Sequence, residues 1–254
     1  MIFLNIKMTY FYVPKKQRQT ANQNCMDTIY TIGKIHSVTH ADIQEIQNQI
    51  TFPLPEDYTE FISKYGFGNI NELLMIQQPD PDFVKVNFGD YMDFWDLQEQ
   101  EIPSVLNSLT IASTIDGDVI TVINNTDKPI VILPRHSEEP VRFRTFKQVI
   151  EYYNNTYKFN NDLYFDCYYN SESHYISFVK DGELKKKLFD DVHQIFLNTV
   201  SFDKIFNAET QPKYIIQKIG GWVYFDSIGK SAVRVKYQTQ FKEEAQKIIN
   251  ICLA

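Results

Sequence analysis

The sequence has little alanine, three cysteines and no apolar run long enough to cross a membrane, and each shortage closes off a class of protein. Seven alanines against nineteen phenylalanines and sixteen tyrosines cannot supply the small-residue packing of an Ala-rich helical bundle. Aromatic packing takes its place, and the composition leans to α+β. Cys25, Cys167 and Cys252 are odd in number, scattered, and in no metal-like or redox-like spacing, which argues against a disulfide framework and fits buried thiols in a reducing cytosol. The opening residues, Met1 to Val13, are apolar and aromatic but too short to span a bilayer. They lack a preceding basic flank and a following small-residue cleavage site. The expected location is cytoplasmic, without a membrane span. A chain of 254 residues has room for one large core or two modest ones.

Net charge is −7, and its distribution says more than its total. Residues 1–36 hold five Lys/Arg and one acid, residues 37–159 hold eight against nineteen, and residues 160–254 hold twelve of each. A central region this acidic repels nucleic acid and anionic membrane and attracts basic proteins over a Debye length. A basic protein is the natural partner.

The chain is organised around FPLPEDYTEFISKYGFG, Phe52 to Gly68. Leu54 and Pro55 bring the backbone in extended, and Pro55 suits a first helical position, where its missing N–H is not needed. Tyr58, Phe61, Ile62 and Tyr65 follow at i, i+3, i+4, i+7, one face of a helix that Gly66 ends by a left-handed turn. Before it, Thr39 caps a helix carrying Ile43, Ile46 and Ile50 on one side. Residues 1–36 read as an N-terminal arm. After Gly68 the period changes to two: Glu72 to Gln77, Val84 to Phe88 and Tyr91 to Trp95 read as short extended pieces. Thr110 to Ile115, Val119 to Ile123 and Pro129 to Pro134 form an antiparallel meander, with turns at Asp116-Gly117-Asp118 and at Asn124 to Asp127. Thr145 then caps a helix with Phe146, Val149, Ile150 and Tyr153 inward. The Asn-rich segment 154–161 suggests a boundary, so residues 155–254 are expected to form a second, smaller α+β unit: strands at Leu163 to Tyr169 and Tyr175 to Val179, a helix at Asp190 to Val200, a Gly220-Gly221 hairpin, a strand at Ser231 to Tyr237 and a terminal helix.

Residues 37–154 resemble the SUKH superfamily of Smi/Knr type. The resemblance is carried by Leu54-Pro55-x-x-Tyr58, by Tyr65-Gly66-Phe67-Gly68, by Ile111-Ala112 ahead of Gly117-Asp118, by Pro134-x-His136 and by the Phe146 helix. Ser113 departs from the usual pattern, and the second unit lies outside it. The resemblance implies an antiparallel sheet flanked by helices. It also implies a binding module of the kind that neutralises bacterial polymorphic toxins, many of them nucleases, and Leu54, Pro55, Tyr58, Phe61, Tyr65, Gly66, Gly68, Gly117, Asp118 and Phe146 as positions that define the fold.

The implied role and the charge distribution converge on Pro79 to Glu101. Asp80, Asp82, Asp90, Asp93, Asp96, Glu99 and Glu101 stand there against a lone Lys85, among Tyr91, Phe94 and Trp95. Acids steer a basic partner and aromatics anchor it. The alternative is that Phe94 and Trp95 belong to the core. Other chemistry is thin. His36 and His40 lack a third metal ligand. His136 beside Asp116 and Asp118 reads as a strand-end residue rather than an acid–base group. Gly229-Lys230-Ser231 lacks the upstream glycine of a phosphate loop. The expectation is a non-enzymatic immunity protein with no cofactor and no metal, bound to a cognate toxin. The alternatives are a regulatory scaffold of the yeast cell-wall regulator type, separated from the first by gene neighbourhood, and an enzyme whose site lies in the C-terminal half, which a deep pocket of Asp, His and Lys would support.

Overall fold

In the computed structural model, which describes residues 29–253 apart from 126, 161, 209 and 210, the chain builds two sheets. Of the expected N-terminal arm, residues 1–28 lie outside the described residues. Its later part supplies strand β1 (Tyr30–Ile32). Helix α1 (His40–Gln47) opens with a capping box: Asp42 N–H donates to Thr39 Oγ1 at 3.2 Å, and Thr39 N–H donates to Asp42 Oδ2 at 3.0 Å. Helix α2 (Glu56–Tyr65) begins one residue later than expected, because Pro55 keeps an extended ψ of 130° and stands at the N-cap. Its stripe is the core: Tyr58, Phe61, Ile62 and Tyr65 are all buried. Gly66 ends the helix at φ 77°, ψ −155°, a positive φ with extended ψ rather than a left-handed helical turn. A Cβ there would lie 1.9 Å from the His36 carbonyl oxygen, so the close pass of the His36 backbone requires glycine.

Strands β2 (Gly68–Ile70) and β3 (Leu74–Asp80) form a hairpin, and β3 runs on through Pro79. The two pieces expected as strands are helical: α3 (Phe83–Phe88) and a 3-10 turn over Gly89–Phe94. Val84, Met92 and Trp95 are buried and Phe88 packs against them, so the apolar residues recur every three or four positions, and burial on one side favours that period over the local alternation of Val84-Lys85-Val86. After α4 (Ile102–Leu106) come β4 (Leu109–Thr114), β5 (Val119–Val122), β6 (Ile130–Leu133), β7 (Val141–Phe143), α5 (Phe146–Thr156) and β8 (Tyr164–Cys167). The eight strands order as β1-β8-β2-β3-β4-β5-β6-β7, antiparallel except for β1 with β8. The fold is thus α+β with a sheet that is largely antiparallel.

Both faces of this sheet are covered. Ile120, Val122, Ile130 and Ile132 point to the α2 and α5 side, while Val119, Val131 and Leu133 point to the side roofed by α3, the 3-10 turn and α4. Strand β6 therefore reads as an unbroken apolar run, and β5 is interrupted only by the buried Thr121. Phe165 in β8 packs on Phe61 and Tyr65. That places β8, expected in the second unit, within the first sheet.

The second sheet is smaller. Strand β9 (Ser171–Ser177) is followed by the short hairpin β10 (Val179–Lys180) and β11 (Glu183–Leu184) and by α6 (Lys186–Thr199), which starts four residues earlier than expected. Then come β12 (Lys204–Phe206), β13 (Lys213–Ile216), β14 (Gly221–Phe225), β15 (Ala232–Gln238) and α7 (Lys242–Leu253). The order β12-β13-β14-β15-β9 is antiparallel throughout, with α6 and α7 over one face.

The other face meets the first sheet. Ile32 and Tyr164 pack on Phe206, Ile215 and Trp222. Asp166, buried, accepts from the Trp222 indole at 2.9 Å and from Lys236 Nζ at 2.5 Å. Lys213 Nζ, buried beside it, donates to the Tyr164 hydroxyl at 2.8 Å and pairs with Glu72. The Gln217 and Gln238 amides bond the backbone of Thr31, Gly33 and Lys34. Polar groups buried in this way fix the register of the two sheets, because any slip leaves them unpaired.

Candidate partner-binding surface

The segment from Asp80 to Glu101 is a roof with a sorted inner and outer face. Inward, Met92, Trp95, Val84 and Val105 close over Val119, Val131 and Leu133. The Trp95 indole N–H donates to the Pro134 carbonyl at 2.8 Å. Trp95, expected as a contact residue, is therefore core, since one buried donor and a large apolar body are both satisfied under the roof. Outward stand Asp82, Asp90, Asp93, Asp96 and Glu99, all exposed, with Tyr91 at 66% and Phe94 at 45% exposure. Asp80 is half-buried, and its Oδ1 accepts the Asp82 N–H at 2.9 Å. Glu101 is taken up internally by Arg142 at 2.8 Å, which removes it from the expected contact set. Among the described residues the other six carboxylates form no ion pair.

The roof is pinned where Asp96 N–H donates to the Glu138 carbonyl at 2.7 Å. This brings Glu138 and Glu139, both exposed, to the same rim. Sequence reading placed them in a loop without connecting them to the acidic segment, because that hydrogen bond joins residues 42 positions apart in the chain. Val86, at 76% exposure, adds apolar area that a strand reading did not single out. The segment and the loop pinned to it thus expose carboxylates that form no ion pair among the described residues, together with two rings and a valine.

The remaining candidates are engaged elsewhere. Asp118 Oδ1 accepts the Arg135 N–H at 3.0 Å and its Oδ2 accepts the Tyr153 hydroxyl at 2.9 Å, so Asp118 ties the meander to α5. Burial first, and Asp118 next, hold the Tyr153 phenol well above its usual range. Gly117 takes φ 96° beneath the Arg135 side chain. Asp116 accepts from the Tyr157 hydroxyl. His136 is exposed at the end of β6, and neither aspartate is left to serve it. His36 lies before α1 and His40 opens it, so the two do not share a helix face. Among the described residues no group of three or more His, Cys, Asp or Glu converges as a metal site. Gly229-Lys230-Ser231 is a turn held by Asp226, which accepts the Gly229 N–H at 2.9 Å and the Ser231 hydroxyl at 2.5 Å. Cys167 and Cys252 are buried thiols, and Cys25 lies outside the described residues. Among the described residues no helix is long and apolar enough to cross a membrane.

A two-faced, largely antiparallel sheet with an acidic roof on one side defines an α+β domain. The family model SUKH_5, described as SMI1-KNR4 cell-wall, matches residues 18–158, more than half of the chain, and the chain belongs to that family. The match ends before β8, so a strand from beyond it completes the sheet. Searches of curated proteins and of solved structures each gave no match.

Proposed function

We propose that this protein is an immunity protein of a bacterial polymorphic toxin system, which binds and neutralises a basic, nuclease-type toxin and catalyses nothing itself. One observation carries the reading: among the described residues, Asp82, Asp90, Asp93, Asp96 and Glu99 are exposed and form no ion pair, in the same segment as the exposed Tyr91 and Phe94. Carboxylates that form no ion pair keep their field for a partner, and exposed rings near them in the chain offer apolar area for it to bury. A nuclease cleft is basic because it holds phosphate, and an acidic roof presents the same charge to it. Membership of the SMI1-KNR4 family supports a binding role of this kind.

The test is to purify the protein with the product of the adjacent gene. The expected result is a stable complex and loss of that product's toxicity. Neither complex nor protection, from a folded protein and an active toxin, overturns the proposal.

A further inference from the structure

A cleft of about 510 Å³ opens between α1 and the link from β8 to β9, a size that holds a ligand side chain with room to spare. The His36 imidazole lies flat on the Tyr169 ring, with centroids 3.9 Å apart and planes 9° from parallel. Tyr168 and Tyr169 are 43% and 48% exposed, so aromatic face remains open to the cleft. Asp42 and Glu45 also line it, and among the described residues no lysine or arginine does. The Thr39 hydroxyl, by its hydrogen bond, holds Asp42 below the usual carboxylate range, so Asp42 stays ionised. Glu45 is exposed and forms no ion pair among the described residues. The cleft is therefore negatively charged with an aromatic wall.

A planar cation satisfies both features at once. A guanidinium stacks on an aromatic face and pairs its edge with a carboxylate, whereas an ammonium is a hydrated point charge that gains less from the flat wall. The position of the cleft says where such a group comes from. Gln78, on its lining, precedes Asp80 by two residues on β3, so the cleft adjoins the acidic roof. We propose that this cleft receives an arginine side chain of the basic protein partner, stacked on the His36–Tyr169 pair and paired with Glu45. The inference rests on the partner-binding reading and adds to it a specific anchor outside the roof.

The test separates the two. The whole protein is titrated by calorimetry with Nα-acetyl-arginine amide and with its neutral counterpart, Nα-acetyl-citrulline amide. The arginine amide should bind more tightly by about fivefold, the scale of a cation–π contact with an exposed ion pair. Glu45→Gln, at an exposed helix position, should reduce the difference by the ion-pair share, about twofold, and Tyr169→Leu should weaken both ligands. Equal affinities in the native protein, or a Glu45→Gln protein whose preference for arginine is undiminished, overturn the proposal. Free arginine binding tenfold or more tighter than the amide would make the cleft a small-molecule site and overturn it too. In the complex with the partner, Glu45→Gln should raise Kd by about fivefold. A complex that ignores Glu45→Gln rejects the cleft and leaves the proposed function standing. No complex, with the arginine preference intact, rejects the proposed function and leaves the guanidinium site.

Discussion

Breaking the Asp166–Lys236 pair tests whether the two sheets are held together by buried charge. Asp166 is 2% exposed and its carboxylate serves both the Trp222 indole and Lys236 Nζ, whose side chain keeps only 12% of its surface. Asp166→Asn leaves an ammonium in that site with no counter-charge at contact distance, and Lys236→Met leaves a buried carboxylate. Each should cost about 3–5 kcal/mol, the penalty for stranding one member of a buried pair. The double variant replaces the charge pair with neutral groups and should cost less than the two losses combined, by about 1.5–3 kcal/mol. In urea the single variants should move the midpoint down by roughly 1–2 M. The two tryptophans report on different places: Trp222 sits at the junction and Trp95 under the acidic roof. Fluorescence of variants carrying one or the other tryptophan follows each. Single losses below about 1 kcal/mol, or strictly additive ones, would refute the claim that this pair locks the junction.

Three further outcomes follow from particular contacts. Tyr91→Ala should weaken partner binding by about tenfold or more with urea stability unchanged, and Phe94→Ala should weaken it as much at a stability cost of about 0.5–1.5 kcal/mol for its edge contact with Trp95, while Trp95→Ala should destabilise the fold by about 3–5 kcal/mol. Parallel affinity and denaturation measurements separate surface from core. Gly66→Ala should cost at least about 2 kcal/mol, or prevent folding, since a Cβ would meet the His36 carbonyl at 1.9 Å with φ at 77°. His193 stacks on Phe225 and contacts the Tyr214 hydroxyl at 2.8 Å; burial, helped by Lys230 and opposed by Asp190, holds its imidazole below the ordinary value. The folded chain thus takes up that proton less readily than the unfolded chain. The stabilisation is complete above the ordinary histidine range and is lost as pH falls through it, a slope between about pH 7 and 5 that His193→Gln should remove.

The sequence was legible wherever one side chain pattern answered to one neighbour. The α2 stripe, the Thr39 and Thr145 caps and the meander with its Asp116-Gly117-Asp118 turn formed as read, because local periodicity and burial agree there. The roof was misread as strands: Val84-Lys85-Val86 alternates, and only the cover that Val84, Met92 and Trp95 give to the second face of the sheet selects the helical period. The placement of β8 was equally non-local. Tyr164 to Cys167 is buried on both sides, and nothing in those four residues says which sheet they join. Of the candidate surface, the exposed acids and Tyr91 were legible as composition. The inward turn of Trp95, the capture of Glu101 by Arg142 and the arrival of Glu138 depend on contacts across about forty residues or more.

The central claim is that the acidic roof steers and holds a basic protein, and the salt dependence of the association rate tests it most directly. Stopped-flow measurement with the adjacent gene's product, across ionic strength, should give an association rate that falls steeply with salt. Asp93→Lys/Asp96→Lys should lower the low-salt rate by about tenfold or more and flatten the slope, with the fold intact. A wild-type rate indifferent to salt, or a doubly reversed variant that associates as fast as the native protein, would contradict the account.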